Sequence, residues 1–193
     1  MAAEKKKTET TAKAEKKPAV KKAAVVKQPA KTKKSDSAPL VIQVPQGGQV
    51  IGEFTLTPKK PGKKAESWRL VNNATGEEVK GLAIGFSDES SDLQRAYERA
   101  VLVINMADTD KTGTWRFVLN GIVTGENTSD VNHDVYIETE QQGARLIAYV
   151  HAEQPGKETI DYGYLASFTD KKTGVVSIYE SKDPGVIIGR PFP

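Results

Sequence analysis

Cysteine is absent from all 193 residues, which excludes disulfides, thiolate metal sites and cysteine nucleophiles together and accords with a reducing cytoplasm. Long apolar runs are missing as well. No stretch approaches the ~18–20 apolar residues that a membrane-spanning helix needs, and the first residues lack the hydrophobic core of a secretory signal. The chain is therefore expected to be soluble and cytoplasmic. Without a signal, Asn73-Ala-Thr75 and Asn127-Thr-Ser129 match the glycosylation acceptor pattern only by coincidence. Histidine occurs twice, at His133 and His151, so an imidazole-based metal or acid–base site would have to bring these two together across strands. Ordinary sheet and surface positions account for both.

The first 38 residues lack arginine, glycine and aromatic residues altogether. What they contain is lysine: Lys5, Lys6, Lys7, Lys13, Lys16, Lys17, Lys21, Lys22, Lys27, Lys31, Lys33 and Lys34, against only Glu4, Glu9, Glu15 and Asp36, a formal charge of +8. The remaining 155 residues hold 16 Lys and Arg against 21 Asp and Glu, a formal −5, so the net +3 conceals a strong segregation. A segment with so few large apolar groups cannot bury itself, and Pro18, Pro29 and Pro39 interrupt any helix. It is expected to be disordered or extended in isolation, with a reach of about 130 Å at roughly 3.3–3.6 Å per residue.

Lysine without arginine narrows the chemistry of this arm. Ammonium groups are hydrated point charges, whereas guanidinium forks read bases and phosphates bidentately. The arm is therefore expected to hold a polyanion, DNA or RNA, through phosphates and without sequence specificity, or else to meet acidic protein surfaces in a large assembly. Its Lys/Ala/Val/Pro texture resembles the tails of linker-histone-like proteins. A second basic cluster, Lys59, Lys60, Lys63 and Lys64, surrounds Pro61-Gly62 and reads as a hairpin tip that can cooperate with the arm.

From Pro39 onward, period-two alternation broken by turn residues marks half-buried strands. Phe54-Thr-Leu56 and Trp68-Arg-Leu70 flank the lysine-rich tip as a hairpin. Ser91-Asp-Leu-Gln94 is a capping box, and Leu93, Ala96, Tyr97 and Ala100 share a face at helical spacing, so one short helix is expected over 92–99. Leu102, Ile104 and Met106 alternate before Asp108-Thr-Asp-Lys-Thr-Gly113, and Trp115, Phe117 and Leu119 alternate after it. Further strands are expected over 134–139, 145–151, 159–168 and 174–180, with 186–188 after a turn at Asp183-Pro-Gly185. The expected fold is all-β: an antiparallel sandwich of about ten strands in residues 39–193, preceded by the basic arm of residues 1–38. The apolar strand, Asp-containing turn and Trp115-x-Phe117 resemble the E–F corner of immunoglobulin-like sandwiches, without their Cys.

No catalytic residue, metal ligand or cofactor site emerges. Asp108-Thr-Asp110 resembles the nucleophile motif of haloacid-dehalogenase-like phosphatases, but Asn105-Met-Ala107 separates it from the apolar strand and the surroundings are not α/β. Read as a calcium loop from Asp108, its twelfth position is Leu119 instead of an acid. Glu138 and Glu140 share a strand face in the manner of a glycosidase pair, though exposed acids at that spacing are mostly solvated. Phosphate-loop, dinucleotide-glycine and Gly-x-Ser-x-Gly patterns are missing. Trp68, Trp115, Phe117, Tyr164 and Phe168 lie in core phase, whereas Tyr136 falls out of phase with Val135 and Ile137 and is expected to face solvent. The reading is a non-enzymatic binding protein whose arm holds a polyanion; the alternative is a structural component of a large particle such as a virion.

Overall fold

Alternation of apolar and polar residues sets the strands, and the described part of the computed structural model comprises residues 38–60, 68–108, 110–124, 135–152, 155–182 and 186–190. Thirteen strands form there: β1 (Leu40–Gln43), β2 (Gln49–Thr57), β3 (Arg69–Asn72), β4 (Glu78–Val79), β5 (Leu82–Gly85), β6 (Arg99–Met106), β7 (Gly113–Thr124), β8 (Val135–Glu140), β9 (Arg145–Val150), β10 (Gly156–Ile160), β11 (Tyr162–Asp170), β12 (Val176–Glu180) and β13 (Val186–Arg190). One short helix, α1 (Asp92–Arg95), and a 3-10 turn over Gln141–Gly143 are the helical elements among the described residues. The described residues therefore form an all-β fold with a single short α-helix.

The strands form a six-stranded sheet in the order β4-β3-β2-β6-β9-β8, a four-stranded sheet β1-β5-β13-β10 and a three-stranded sheet β12-β11-β7. Their inward side chains share one core, in which Phe54, Leu102, Ile104 and Leu146 of the large sheet join Trp115, Phe117, Tyr164 and Phe168 of the three-stranded sheet and Leu82, Ile84, Val186 and Ile188 of the four-stranded one. Trp115 is the hub of the aromatic packing. Its ring lies 5.7 Å from Trp68, 5.0 Å from Phe168 and 5.3 Å from Tyr179, all in tilted or edge-on geometry that favours the ring quadrupoles.

The expected hairpin is present: β2 pairs antiparallel with β3, with Leu56 opposite Leu70. Its tip, including Lys63 and Lys64, lies outside the described residues, as do residues 1–37, His133, Asp134 and Asn127. Pairing departs from the antiparallel expectation at three places, where β1 runs parallel to β5, β5 to β13 and β2 to β6. The cause is connectivity. β5 is flanked on both edges and all four of its residues are buried, so it reads as a continuous apolar strand instead of an alternating one. The segment expected over 159–168 splits at Asp161 into β10 and β11, which belong to different sheets.

The helix is shorter than its spacing implies. Its capping box forms as read, with the Gln94 amide N–H donating to Ser91 Oγ and the Ser91 amide N–H donating to Gln94 Oε1 at 2.9 Å. It ends after one turn, leaving Leu93 and Tyr97 exposed, while Ala100 is buried as part of β6. The apolar face expected at helical spacing is therefore not buried. The connection from β6 to β7 joins strands of different sheets. At its end Gly113 is obligatory for steric reasons, since a Cβ there would overlap the Phe168 ring and the Thr169 carbonyl.

Candidate functional site

Of the basic residues singled out in the sequence, Lys59 and Lys60 at the hairpin base fall within the described residues. β2 ends at Thr57 and the chain continues through Pro58 to Lys59 and Lys60; Lys60 has Thr112 and Phe168 of β11 as neighbours. Lys60 Nζ sits 3.6 Å from the centroid of the Phe168 ring and donates to Thr112 Oγ1 at 3.3 Å. Asp110 and Asp170 both feel its positive charge. The carbonyl of Lys59 accepts from the Trp68 indole N–H at 3.1 Å, which fastens the hairpin base to the aromatic core.

Asp110 organises its own turn. Its Oδ1 accepts from the Thr112 hydroxyl at 2.6 Å and from the Thr112 amide at 2.8 Å, and Oδ2 accepts from the Trp115 indole at 3.3 Å. These bonds, the Thr112 hydroxyl first, hold its carboxyl below the usual aspartate range against a smaller opposing effect of burial. Asp170 does the same for the β11–β12 turn through the Thr173 and Lys172 amides, each at 2.9 Å, and its carboxyl is also lowered, by those backbone bonds first. The Asp-x-Asp motif is thus a turn that reads one lysine. Among the described residues no three His, Cys, Asp or Glu side chains gather as a metal cluster.

The other sequence candidates separate. Glu138 accepts a hydrogen bond from the Tyr149 hydroxyl at 2.8 Å, and Glu140 faces Arg145 at 3.7 Å, so each acid of the pair has its own partner on β9. The bond to Glu138 is also the main reason the Tyr149 phenol ionises above its ordinary range. His151 Nε2 lies 3.0 Å from the Arg95 carbonyl, tied to the end of α1. Trp68, Trp115, Phe117, Tyr164 and Phe168 are all buried, as their phase implies, and Tyr136 is 64% exposed.

Sequence reasoning missed the most concentrated polar cluster in the body. Glu98 and Arg190 are completely buried and paired, Arg190 Nη2 donating to Glu98 Oε2. Arg190 also donates to the carbonyls of Ser87 and Ala152, the latter at 3.0 Å, and its guanidinium lies 5.3 Å from the Phe86 ring centroid. Glu98 Oε1 accepts from the Ser90 hydroxyl at 2.5 Å and from the Gly47 amide at 2.8 Å. Burial pushes the Glu98 carboxyl up, but the bonds from Arg190, Ser90 and Gly47 outweigh it and leave the group below the ordinary glutamate range. The only sequence hint was that Arg190 continues the alternating run of β13 in a buried phase.

Comparison with known proteins places residues 38–190 within the family model described as the DP-EP family. No curated protein matches the chain. Among solved structures, it is similar to the cysteine protease inhibitor EhICP2 from Entamoeba histolytica, with 11% identity over 74% of this chain and 96% of that chain and a TM-score of 0.25. That likeness is too loose to carry an argument.

Proposed function

We propose that this chain, which belongs to the DP-EP family over residues 38–190, is a non-enzymatic cytoplasmic binding protein whose lysine arm holds DNA or RNA without reading its sequence. The observation that carries this reading is the segregation of +8 in residues 1–38 from −5 in the rest, with no arginine in the arm. The described lysines add a reason to look to the arm first. Lys60 already sits over the Phe168 ring and donates to Thr112, with Asp110 and Asp170 near enough to feel its charge, so a phosphate at the hairpin base must displace these contacts.

The test is fluorescence anisotropy of a labelled generic duplex titrated with the full chain at several salt concentrations. With about six lysines engaged, log K should fall with log salt at a slope of roughly −4 to −5. Replacing the twelve arm lysines with glutamine should abolish this binding, as should deletion of residues 1–38. Binding that survives either change with its salt slope intact refutes the reading.

A second reading, a structural component of a large assembly, is favoured by a different observation. β12 is an edge strand of the three-stranded sheet, and Val176 and Ile178 on it are 60% and 65% exposed, with Val175 just before it 59% exposed. An apolar edge offers unpaired backbone groups to a neighbouring strand. Concentration-dependent sedimentation of the full chain, abolished by Ile178→Lys, supports this second reading; a monomer at all concentrations opposes it.

A further inference from the structure

The outer face of the six-stranded sheet carries a stripe that the core does not use. Strand register places Ile51 of β2 beside Val101 of β6, Val101 beside Tyr149 of β9, and Tyr149 beside Tyr136 of β8. The adjoining row runs Glu53, Val103, Ile147, Glu138 in the same order. Side chains alternate along each strand, so both rows point away from the core residues Phe54, Leu102, Ile104 and Ala148. Ile51 and Tyr136, at the two ends of the first row, are 56% and 64% exposed.

Three interstrand gaps of ~4.8 Å make the stripe about 14 Å wide. It is apolar and aromatic in the middle and carries a carboxylate at each end of its second row. The Tyr149 hydroxyl holds Glu138 in place, and the Tyr136 and Tyr149 rings lie 6.0 Å apart. A matching ligand alternates small apolar groups with cations: apolar groups pack on Ile51, Val101 and the tyrosine rings, while ammonium groups meet Glu53, Glu138 or a ring face.

This chain contains such a segment. Residues 16–29 read Lys-Lys-Pro-Ala-Val-Lys-Lys-Ala-Ala-Val-Val-Lys-Gln-Pro, and they hold all three valines of the arm, Val20, Val25 and Val26. Tethering brings it within range. A Cβ on Gly52 would approach Ile42 Cδ1 to 3.2 Å on the core face of β2, so the arm leaves β1 near the strand that carries Ile51 but must pass round the sheet to reach its outer face. The sixteen residues from Val26 to Ile42 extend up to about 50 Å, several times the stripe's width. A short tether of this kind gives an effective concentration in the millimolar range, which favours the chain's own arm over a second copy at micromolar protein.

We propose that residues 16–29 of the arm dock across this outer face of the same molecule, with valine and proline on the stripe and lysines on Glu53 and Glu138. The proposal stands apart from polyanion binding and needs no nucleic acid. Because the chain has no cysteine, Ala23→Cys in the full chain supplies a single thiol for a nitroxide label. Methyl signals of Ile51, Val101, Val103 and Ile147 should lose intensity by roughly two-fold or more, while those of Leu102 and Ile104 on the other face lose less, as expected of a segment held at millimolar local concentration. Replacing Val20, Val25 and Val26 with serine, which leaves every described residue untouched, should restore the signals. Ile51→Ser with Tyr136→Ser should do the same from the other side. Uniform or absent broadening overturns the proposal. So does broadening that appears equally when the nitroxide is carried by an isotopically silent copy mixed with an unlabelled-arm copy, because the occupant would then be a second molecule.

Discussion

Removing Arg190 should reverse the sign of what Glu98 does for the fold. Arg190→Met keeps much of the apolar stem but deletes the guanidinium that meets Glu98, the Ser87 carbonyl and the Ala152 carbonyl. Glu98 keeps Ser90 and the Gly47 amide, yet it is left as a buried carboxylate without its cation. Breaking one side of a buried pair costs about 3–5 kcal/mol. With a urea m-value of about 2 kcal/mol/M, a loss of about 4 kcal/mol moves the unfolding midpoint down by about 2 M. Both tryptophans lie in the shared core, so their fluorescence reports the transition.

The decisive comparison uses Glu98→Gln in both backgrounds. In the wild type it removes a charge that is matched and should destabilise; in Arg190→Met it removes a charge that is unmatched and should stabilise. The pH dependence separates the cases again. In the wild type the Glu98 carboxyl lies below its unfolded range, so its stabilisation is complete above the unfolded pKa and is lost as pH falls through the folded one. In Arg190→Met burial dominates and raises the folded pKa, so the penalty is absent below the unfolded pKa and grows as pH rises. Equal effects of Glu98→Gln in the two backgrounds, or parallel pH profiles between pH 4 and 7, refute the coupling.

Three further outcomes are expected. Gly113→Ala drives a methyl into the Phe168 ring and the Thr169 carbonyl and should lower stability by about 1–3 kcal/mol or more, read as a fall in melting temperature. Thr112→Val removes the hydroxyl that does most to lower the Asp110 carboxyl, so carbonyl-detected NMR should show Asp110 titrating at higher pH than in the wild type; an unmoved titration refutes the role given to that bond. Glu138→Gln replaces the anionic acceptor that raises the Tyr149 phenol with a neutral amide, and ultraviolet titration should find that phenol ionising at lower pH, with stability changed by less than about 1 kcal/mol for this half-buried surface pair.

What was legible in the sequence was local. Trp115 and Phe117 alternate with polar neighbours and are buried; Tyr136 breaks phase and is exposed; the Ser91–Gln94 capping box forms; Leu56 and Leu70 meet across the hairpin. Each depends on residues close in the chain. What was not legible depends on residues that are far apart. Parallel partners such as Leu82 and Val186 share no turn, and therefore no turn signal, and a strand flanked on both edges gives up its alternation. Glu98 and Arg190 stand 92 positions apart, and the buried phase of Arg190 at the end of β13 does not say which acid it meets. Leu93 and Tyr97 misled for the opposite reason. Their spacing was correct for a helix, but one turn is too short to turn that face toward a core.

The parallel pairing of β5 with β13 also sets a schedule for biosynthesis. β5 leaves the ribosome with only β1 available on one edge, and the strand that completes its other edge follows about a hundred residues later. At roughly 5–20 residues per second, that interval is about 5–20 seconds. Throughout it, Leu82, Ala83 and Ile84, all fully buried in the finished protein, stay without their final neighbour. The nascent chain therefore presents a defined apolar segment for a limited time, and this is the place where a ribosome-associated holdase would be needed most.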